Sequence, residues 1–224
     1  FLLRSAWQRP GWPVAASFPS GGPLLLAADA IGNGESDVCW AGGDPAGPDS
    51  SALFAIRPDG SGLHPGSAVI ARLERRPLPL MAVLTTPGGP VQFAVTTAAD
   101  GDTAAPAARV WLIQADGTPA PGWPARLPAV TTPPVVTGTG VAARIVVGCV
   151  DGRVYVLRPD ATVDSVSPFL LGSPVSGRLA VATEGATTLI AAGSRNGQIE
   201  VFPLGPRPAA YDPSAWPRPT FVSG

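Results

Sequence analysis

Closely spaced oxygen-bearing side chains make the stretch 29–37, DAIGNGESD, the segment best suited to hold a metal ion. The candidate ligands are Asp29, Asn33 and Asp37. A hard cation such as calcium takes several oxygen ligands from one short loop, and glycines let that loop bend around the ion. The spacing predicts a degenerate calcium-like loop, and a plain turn between two strands is the favoured alternative.

No other group of residues has the spacing of a catalytic site. His64 is the single histidine and lies in a turn-like GSGLHPG sequence, without a second base for a triad or a metal-hydrolase site. Asp100 and Asp102 lie near one another but lack a third carboxylate, so a solvated loop is the better interpretation. The serines have no G-x-S-x-G setting, and no phosphate-binding fingerprint is present. We therefore predict no catalytic or cofactor-binding residues.

The two cysteines, Cys39 and Cys149, fall on equivalent inner strands of two repeats that are not adjacent. Unpaired cysteine is among the residues most often buried, so we expect two buried free thiols. A metal site would need further ligands, which the sequence does not offer nearby.

Net charge and composition exclude several classes of function. The net charge of −1 over 224 residues indicates neither a nucleic-acid groove nor an anionic membrane surface. No apolar run has the length of a membrane span. The densest charge cluster, IARLERRPLPL, holds Arg72, Glu74, Arg75 and Arg76 and is better explained as a solvated surface than as a docking patch.

The elements that must position these residues are short strands joined by glycine turns. The stretch 144–160, RIVVGCVDGRVYVLRPD, predicts two strands joined by Asp151 and Gly152, and Asn196 and Gly197 join a second such pair. Asp-Gly and Asn-Gly favour two-residue type I′ hairpin turns, which need positive φ at both central residues. The chain is therefore predicted to be all-β.

Related phrases recur at intervals of about 45 to 57 residues, from Asp59 to Asp116 and from Asp116 to Asp160. Repeats of this length with several strands each are typical of propeller blades. We predict a β-propeller, or a propeller segment, of about four antiparallel blades. The predicted repeats span 14–66, 67–124, 125–172 and 173–210, with a tail at 211–224. The Pro-Gly-Trp-Pro sequence occurs twice, and its Trp12 and Trp123 are expected to pack between blades.

The order of apolar strand, glycine-rich acidic loop, IVVG strand, DG turn, VYVL strand and PGWP resembles the repeats of FG-GAP/VCBS-type propellers, which are similar to quinoprotein-like (PQQ-like) propellers. In FG-GAP repeats a D-x-D/N-x-D-G-x-x-D loop binds calcium. Asp29, Asn33, Gly34 and Asp37 match that pattern, but Ile31 stands at a ligand position. The corresponding loop of the third repeat, 137–143, has no acid, so we expect weak calcium binding or none.

The resemblance implies a non-catalytic extracytoplasmic module, periplasmic, cell-surface or secreted, that serves as a scaffold or structural subunit. Two alternatives remain: part of a quinoprotein-like oxidoreductase, or a carbohydrate-binding propeller. An isolated arc of blades would expose apolar faces and strand edges. We therefore expect a protein partner, the remainder of a larger polypeptide, or a tight four-bladed closure to cover those faces.

Overall fold

The prediction of an all-β chain is confirmed by a computed structural model, which describes residues 25–43, 50–74, 77–86, 91–98, 107–184 and 186–205. Within those ranges the helical residues are limited to one 3-10 turn at Gly140–Ala142. The strands form four antiparallel sheets in chain order, and neighbouring strands in each sheet are sequential. Trp12, Asp100, Asp102, Arg75, Arg76 and the tail 211–224 lie outside the described residues.

Each sheet takes three or four consecutive strands. The first sheet contains β1 (Leu26–Ala28), β2 (Asp37–Gly43), β3 (Ser50–Ile56) and β4 (Val69–Glu74). The second contains β5 (Pro77–Leu84), β6 (Gln92–Thr97), β7 (Ala107–Gln114) and β8 (Ala125–Pro128). The third contains β9 (Val135–Thr137), β10 (Arg144–Gly148), β11 (Arg153–Leu157) and β12 (Phe169–Leu170). The fourth contains β13 (Val175–Glu184), β14 (Thr187–Ser194) and β15 (Ile199–Leu204).

At two boundaries the sheet ends later in the chain than the repeat that was predicted for it. Strand β4 pairs with β3 although it falls in the predicted second repeat, and β8 pairs with β7 although it falls in the third. Strands β4 and β8 each follow a tight turn, so their sequences resemble the start of the next unit. The number of sheets agrees with the prediction.

The cores lie between consecutive sheets, and β10 shows why. Its side chains alternate in direction, as in any strand. Ile145 and Val147 join the core shared with the second sheet, whereas Val146 joins the core shared with the fourth. All three are fully buried. A strand covered on both faces needs apolar residues at every position, which explains the continuous IVV sequence.

The predicted type I′ turn at Asp151 and Gly152 is wrong in its length. Cys149 N–H donates to the carbonyl of Arg153 at 2.9 Å, so three residues form the loop. Gly152 has φ +76°, but Asp151 is not at positive φ. This is a type I turn followed by a left-handed residue, the usual three-residue hairpin. The turn at 194–198 repeats it, with Gly197 at φ +83°.

The same three-residue turn also follows the third strand of three sheets, at 57–61, 114–118 and 158–162. The left-handed position holds Gly60, Gly117 and Ala161, the last at φ +68°. We call these three segments the exit turns. Their equivalence explains why the Asp59, Asp116 and Asp160 intervals revealed the repeat.

Candidate functional site

A polar pair of residues lies at one end of each of the first three sheets, where the second strand begins and the third strand ends. In the second sheet Gln92 is opposite Gln114. In the first sheet Val38 pairs with Ile56, so Asp37 and Arg57 occupy the equivalent positions. This end of the sheets also carries the exit turns, so we call it the exit end.

In the third sheet the equivalent residues are both arginines, because Arg144 precedes and Arg158 follows the paired Ile145 and Leu157. Asp164 lies between the two guanidinium groups. Its Oδ2 atom accepts from Arg144 Nε at 2.7 Å and from Arg158 Nε at 3.2 Å. Two cations therefore share one carboxylate oxygen.

Asp164 is buried and stays in its charged form because of its partners. Burial alone would raise the pKa of its carboxyl group, but the N–H of Val166 and the guanidinium groups of Arg144 and Arg158 outweigh it and hold the pKa below its usual value. Arg144 is fixed further, because its Nη1 donates to the carbonyl oxygens of Val141 at 3.3 Å and Ala143 at 2.8 Å.

This network forms one wall of a cleft of about 290 Å³ between the third and fourth sheets. The third sheet contributes both arginines, Asp164 and Val166, and the fourth contributes Thr188 and Leu204. We call it the arginine cleft. It combines two cations, one anion, a hydroxyl group and apolar walls in a space that only the packing of two sheets creates.

Three exposed valines lie near the exit end of the third sheet, and one of them, Val166, lines the arginine cleft. Val141, on the 3-10 turn, is 95% exposed, and Val163 and Val166 are 43% and 48% exposed. Two of the three are tied directly to the charged network, since the Val141 carbonyl accepts from Arg144 and the Val166 N–H donates to Asp164 at 3.3 Å. Apolar side chains and arginines thus share one surface.

The calcium-like loop is organised by hydrogen bonds to its own backbone. Asp29 accepts from the N–H of Asn33 at 2.9 Å and of Gly34 at 2.8 Å, one bond to each oxygen. Asn33 Oδ1 accepts from Glu35 N–H, and Asp37 Oδ2 accepts from Ala30 N–H, both at 3.0 Å. The side chains predicted as ligands therefore already serve as acceptors that shape the loop.

These residues do not fit a calcium ion as they stand. Both Asp29 oxygens are taken by N–H donors, and Ile31 supplies no oxygen at the position where the pattern needs one. Among the described residues, no cluster of three His, Cys, Asp or Glu side chains has the arrangement of a metal site. No step in function is assigned to a metal here.

Asp37 is the unusual member of that loop. It is fully buried, and its Oδ1 has no hydrogen-bond partner in the described part of the chain. Burial raises the pKa of Asp37, the neighbouring Asp29 raises it further, and the Ala30 N–H and Arg57 act in the opposite direction. A buried carboxyl group with a raised pKa and one unpaired oxygen holds a proton more readily than an exposed aspartate does.

The exit-turn aspartates are exposed, and their pKa values are lowered, whereas that of Asp37 is raised. The hydroxyl and N–H groups two residues later lower the pKa of each carboxyl group; the pairs are Asp59 with Ser61, Asp116 with Thr118, and Asp160 with Thr162. Each carboxylate thereby closes its own turn. These acids stabilise local structure through Oδ1, which accepts both hydrogen bonds of its turn.

The remaining predicted residues are dispersed. His64 begins a tight turn in which its carbonyl accepts from Ser67 N–H at 3.0 Å. Cys39 and Cys149 are buried free thiols, as predicted, and burial raises the pKa of both to about 12, which disfavours the reactive thiolate. The described side chains thus offer no assembled nucleophile and base.

Trp123 lies between the second and third sheets. Its indole Nε1 donates to the carbonyl of Pro159, and its ring packs in the core shared by those sheets. Gly152 and Gly197 occupy the left-handed positions of their turns.

Sequence reasoning did not identify the arginine cleft. Arg144 and Arg158 lie inside the most conspicuous repeat phrase, RIVVGCVDGRVYVLRPD, but their charges were not interpreted. The signal available was their position, since both flank paired apolar strands at one end of a predicted hairpin. Asp164 lies 20 residues after Arg144, and nothing in the local pattern joins them.

Comparison with solved structures shows the fold to be a β-propeller. Two crystal structures of BBS1N in complex with ARL6DN, one soaked with mercury and one with lead, align with TM-scores of 0.54 and 0.53 at 16% and 17% identity. Each alignment covers 88% of this chain but only 56% or 57% of the BBS1N chain, so the present chain spans little more than half of that relative. No protein-family model and no curated protein sequence matches the chain. Among the described residues, no helix is long and apolar enough to cross a membrane.

Proposed function

We propose that the chain is a non-catalytic propeller module that binds a protein partner through the exit end of its third sheet. The observation that carries this proposal is the surface where the exposed Val166 lines the cleft beside Arg144 and Arg158, with the exposed Val141 and Val163 on adjoining segments of the chain. Arginine is enriched among the residues that dominate binding energy in protein interfaces, and burial of apolar side chains around it excludes water.

Val141 is the most exposed of the three valines. A valine that is 95% exposed stabilises nothing in the isolated chain, and it stands on a 3-10 turn whose carbonyl is anchored by Arg144. An apolar side chain presented on a fixed turn loses little conformational freedom when a partner covers it. It is therefore suited to contact another protein.

The structural relatives support the same class of function by analogy. BBS1N is a propeller that was crystallised in complex with another protein, ARL6DN. The identity is too low to transfer that partner, so the analogy supports only protein binding by a propeller surface. The finer assignment to FG-GAP/VCBS-type or quinoprotein-like repeats rests on the order of apolar strand, glycine-rich acidic loop, IVVG strand, DG turn, VYVL strand and PGWP in the sequence. An extracytoplasmic location is proposed on that resemblance alone, and cell fractionation would test it.

Two variants test the proposed surface. Val141→Asp places a charge on the most exposed valine of the surface, whereas Ile199→Asp places one on a 60% exposed aliphatic residue beside the hairpin turn at the opposite end of the fourth sheet. The immobilised chain would be incubated with extract of its native source, and captured proteins would be quantified for each variant. We expect Val141→Asp to remove a captured protein that Ile199→Asp retains. Equal capture by both variants would contradict the proposal.

The two alternatives make different predictions for the same preparation. A quinoprotein-like enzyme would show cofactor absorbance or regain it on reconstitution, and a lectin would bind selected glycans on an array. A saturable glycan signal that survives Val141→Asp would favour the carbohydrate-binding alternative over the proposed surface.

A further inference from the structure

Within the described residues, both arginines of the arginine cleft keep N–H donors without a hydrogen-bond partner. Arg158 donates its Nε–H to Asp164, and its two terminal nitrogens have no partner in that part of the chain. The Arg158 side chain is 43% exposed. Arg144 donates from Nε and Nη1, which leaves its Nη2 without a described partner. Because both arginines use Nε on one oxygen of Asp164, neither guanidinium makes with this carboxylate the bidentate contact that arginine favours.

The charge balance of the cleft selects the kind of anion. Two guanidinium groups face one carboxylate, Asp164, whose lowered pKa keeps it ionised at neutral pH. Inside the cleft this leaves one more cation than anion, although the exposed Asp160 of the exit turn also interacts electrostatically with Arg158. A carboxylate with a single negative charge would balance that extra cation, whereas a doubly charged phosphate would leave an excess of negative charge beside Asp164.

The walls of the cleft, whose volume is about 290 Å³, combine charged and apolar groups. Val166 and Leu204 offer apolar contact for methylene groups, and Thr188 lines the cleft from the fourth sheet, across from the arginines of the third. A glutamate side chain has this combination of methylene groups and a terminal carboxylate.

We propose that the arginine cleft receives one acidic side chain, preferably glutamate, from an extended segment of the protein partner. The carboxylate would pair with the terminal nitrogens of Arg158, with its methylene groups against Val166 and Leu204. The exposed Val141 then contacts the partner's backbone or an apolar neighbour of that residue. This inference deepens the proposed function and rests on it.

The first test uses N-acetylglutamate α-amide as the probe, titrated into the 224-residue chain and followed by NMR of the arginine Nε–H and Thr188 amide signals. We expect saturable shifts with the glutamate probe and about tenfold weaker binding after Arg158→Gln, the effect of losing one charge-assisted pair. Arg195→Gln is the matched control, because Arg195 is exposed at the opposite end of the fourth sheet. It should leave the affinity unchanged.

Two further comparisons separate the effect of the planar guanidinium donors of Arg158 from the effect of its positive charge alone. Arg158→Lys retains the charge but not the planar pair of donors, so it should also weaken binding. N-acetylglutamine α-amide should not bind, and inorganic phosphate should bind more weakly than the glutamate probe. Tighter binding of phosphate, equal response to glutamine, or an unchanged affinity in Arg158→Gln would each overturn the inference. A thermal melt of each variant confirms that it is folded.

Capture experiments distinguish failure of this inference from failure of the proposed function. If Val141→Asp loses the partner but Arg158→Gln retains it with full affinity, protein binding at the exit end stands and the acidic-side-chain inference is wrong. If neither variant changes capture, both are wrong. Loss of the partner in both variants, with retention in Arg195→Gln, supports both.

Discussion

The indole Nε1 of Trp123 donates a hydrogen bond to the carbonyl oxygen of Pro159 at 2.7 Å and so ties the second sheet to the exit turn of the third. The glycine beside this tryptophan makes an equally close approach, since a Cβ atom on Gly122 would lie 2.6 Å from the carbonyl oxygen of Asp160. The exit turn of one sheet is therefore a docking element for the sheet before it.

The Trp123 hydrogen bond should be measurable in the free energy of unfolding. Trp123→Phe keeps most of the buried ring but removes the donor, so we expect a loss of about 1 kcal/mol. Trp111→Phe is the control, because its Nε1 donates over a longer 3.3 Å to Thr97 within a single sheet. Urea denaturation followed by circular dichroism should show a larger loss for Trp123→Phe. Equal losses would mean that the contact between sheets adds nothing.

The two hairpin glycines should differ in their tolerance of alanine. Both lie at positive φ, which costs an L-residue about 1–2 kcal/mol. A Cβ atom on Gly197 would meet nothing within 4 Å, whereas one on Gly152 would lie 2.9 Å from the backbone nitrogen and oxygen of Ser173. We therefore expect Gly152→Ala to destabilise the chain by at least about 1 kcal/mol more than Gly197→Ala, because backbone must move as well. Thermal unfolding of the two variants checks this order, and the reverse order would contradict it.

The sequence revealed the repeat but not the length of its turns, and the reason is physical. Asp-Gly suits both a two-residue turn with two left-handed residues and a three-residue turn with one, since aspartate tolerates either conformation. The choice depends on the twist and pairing of the flanking strands. Ala161, which takes the left-handed position at 158–162, shows that the sheets impose this turn even without glycine.

Local sequence patterns could not predict the arginine cleft. Asp164 contacts Arg144 across 20 residues only because the exit turn returns the chain along β11, where the Asp164 N–H donates to the carbonyl of Val156 at 2.8 Å. Strand periodicity predicts which residues are apolar and buried. It does not predict which loop residue closes over a strand end, so the charged network could be recognised only once the register was known.

Asp37 should make stability depend on pH in a direction opposite to that of most native carboxylates. Its pKa is raised in the folded chain, mainly by burial, so the native state holds the proton more tightly than the unfolded state. Its contribution to stability is fully present below the ordinary value of about 3.9 and is lost as the pH rises through the folded pKa.

We therefore expect Asp37→Asn to lessen the decline of stability between weakly acidic and neutral pH. Denaturation midpoints from pH 4 upwards compare the variant with the unmodified chain, and Glu200→Gln, on strand β15 of the fourth sheet, is the control. A pH profile of Asp37→Asn that matches the unmodified chain over this range would show that Asp37 is ionised at no cost.

Calcium should bind the loop 29–37 weakly or not at all. An ion would have to displace the N–H groups of Asn33 and Gly34 from Asp29, and Ile31 offers it no oxygen in return. Isothermal titration should give no calcium binding at micromolar concentrations, and chelator should leave the melting temperature unchanged. A sub-micromolar dissociation constant, lost in Asp29→Asn, would contradict the prediction.

Removal of the charge at Asp164 should destabilise the third sheet, because Arg144 and Arg158 would face each other without a counter-ion. Asp164→Asn should cost about 2 kcal/mol, less than the roughly 3–5 kcal/mol of a fully buried pair, since the Arg158 side chain is 43% exposed. Glu74→Gln is the control: Glu74 pairs with Arg109 and its side chain is 66% exposed, so the expected loss is below about 1 kcal/mol.

The pKa of Asp164 is lowered in the folded chain, so its contribution is present above the unfolded value and disappears as the pH falls through the folded pKa. The difference in unfolding free energy between the unmodified chain and Asp164→Asn should therefore shrink at acidic pH, and a difference that stays constant down to the lowest pH would show that the carboxylate charge is not its cause.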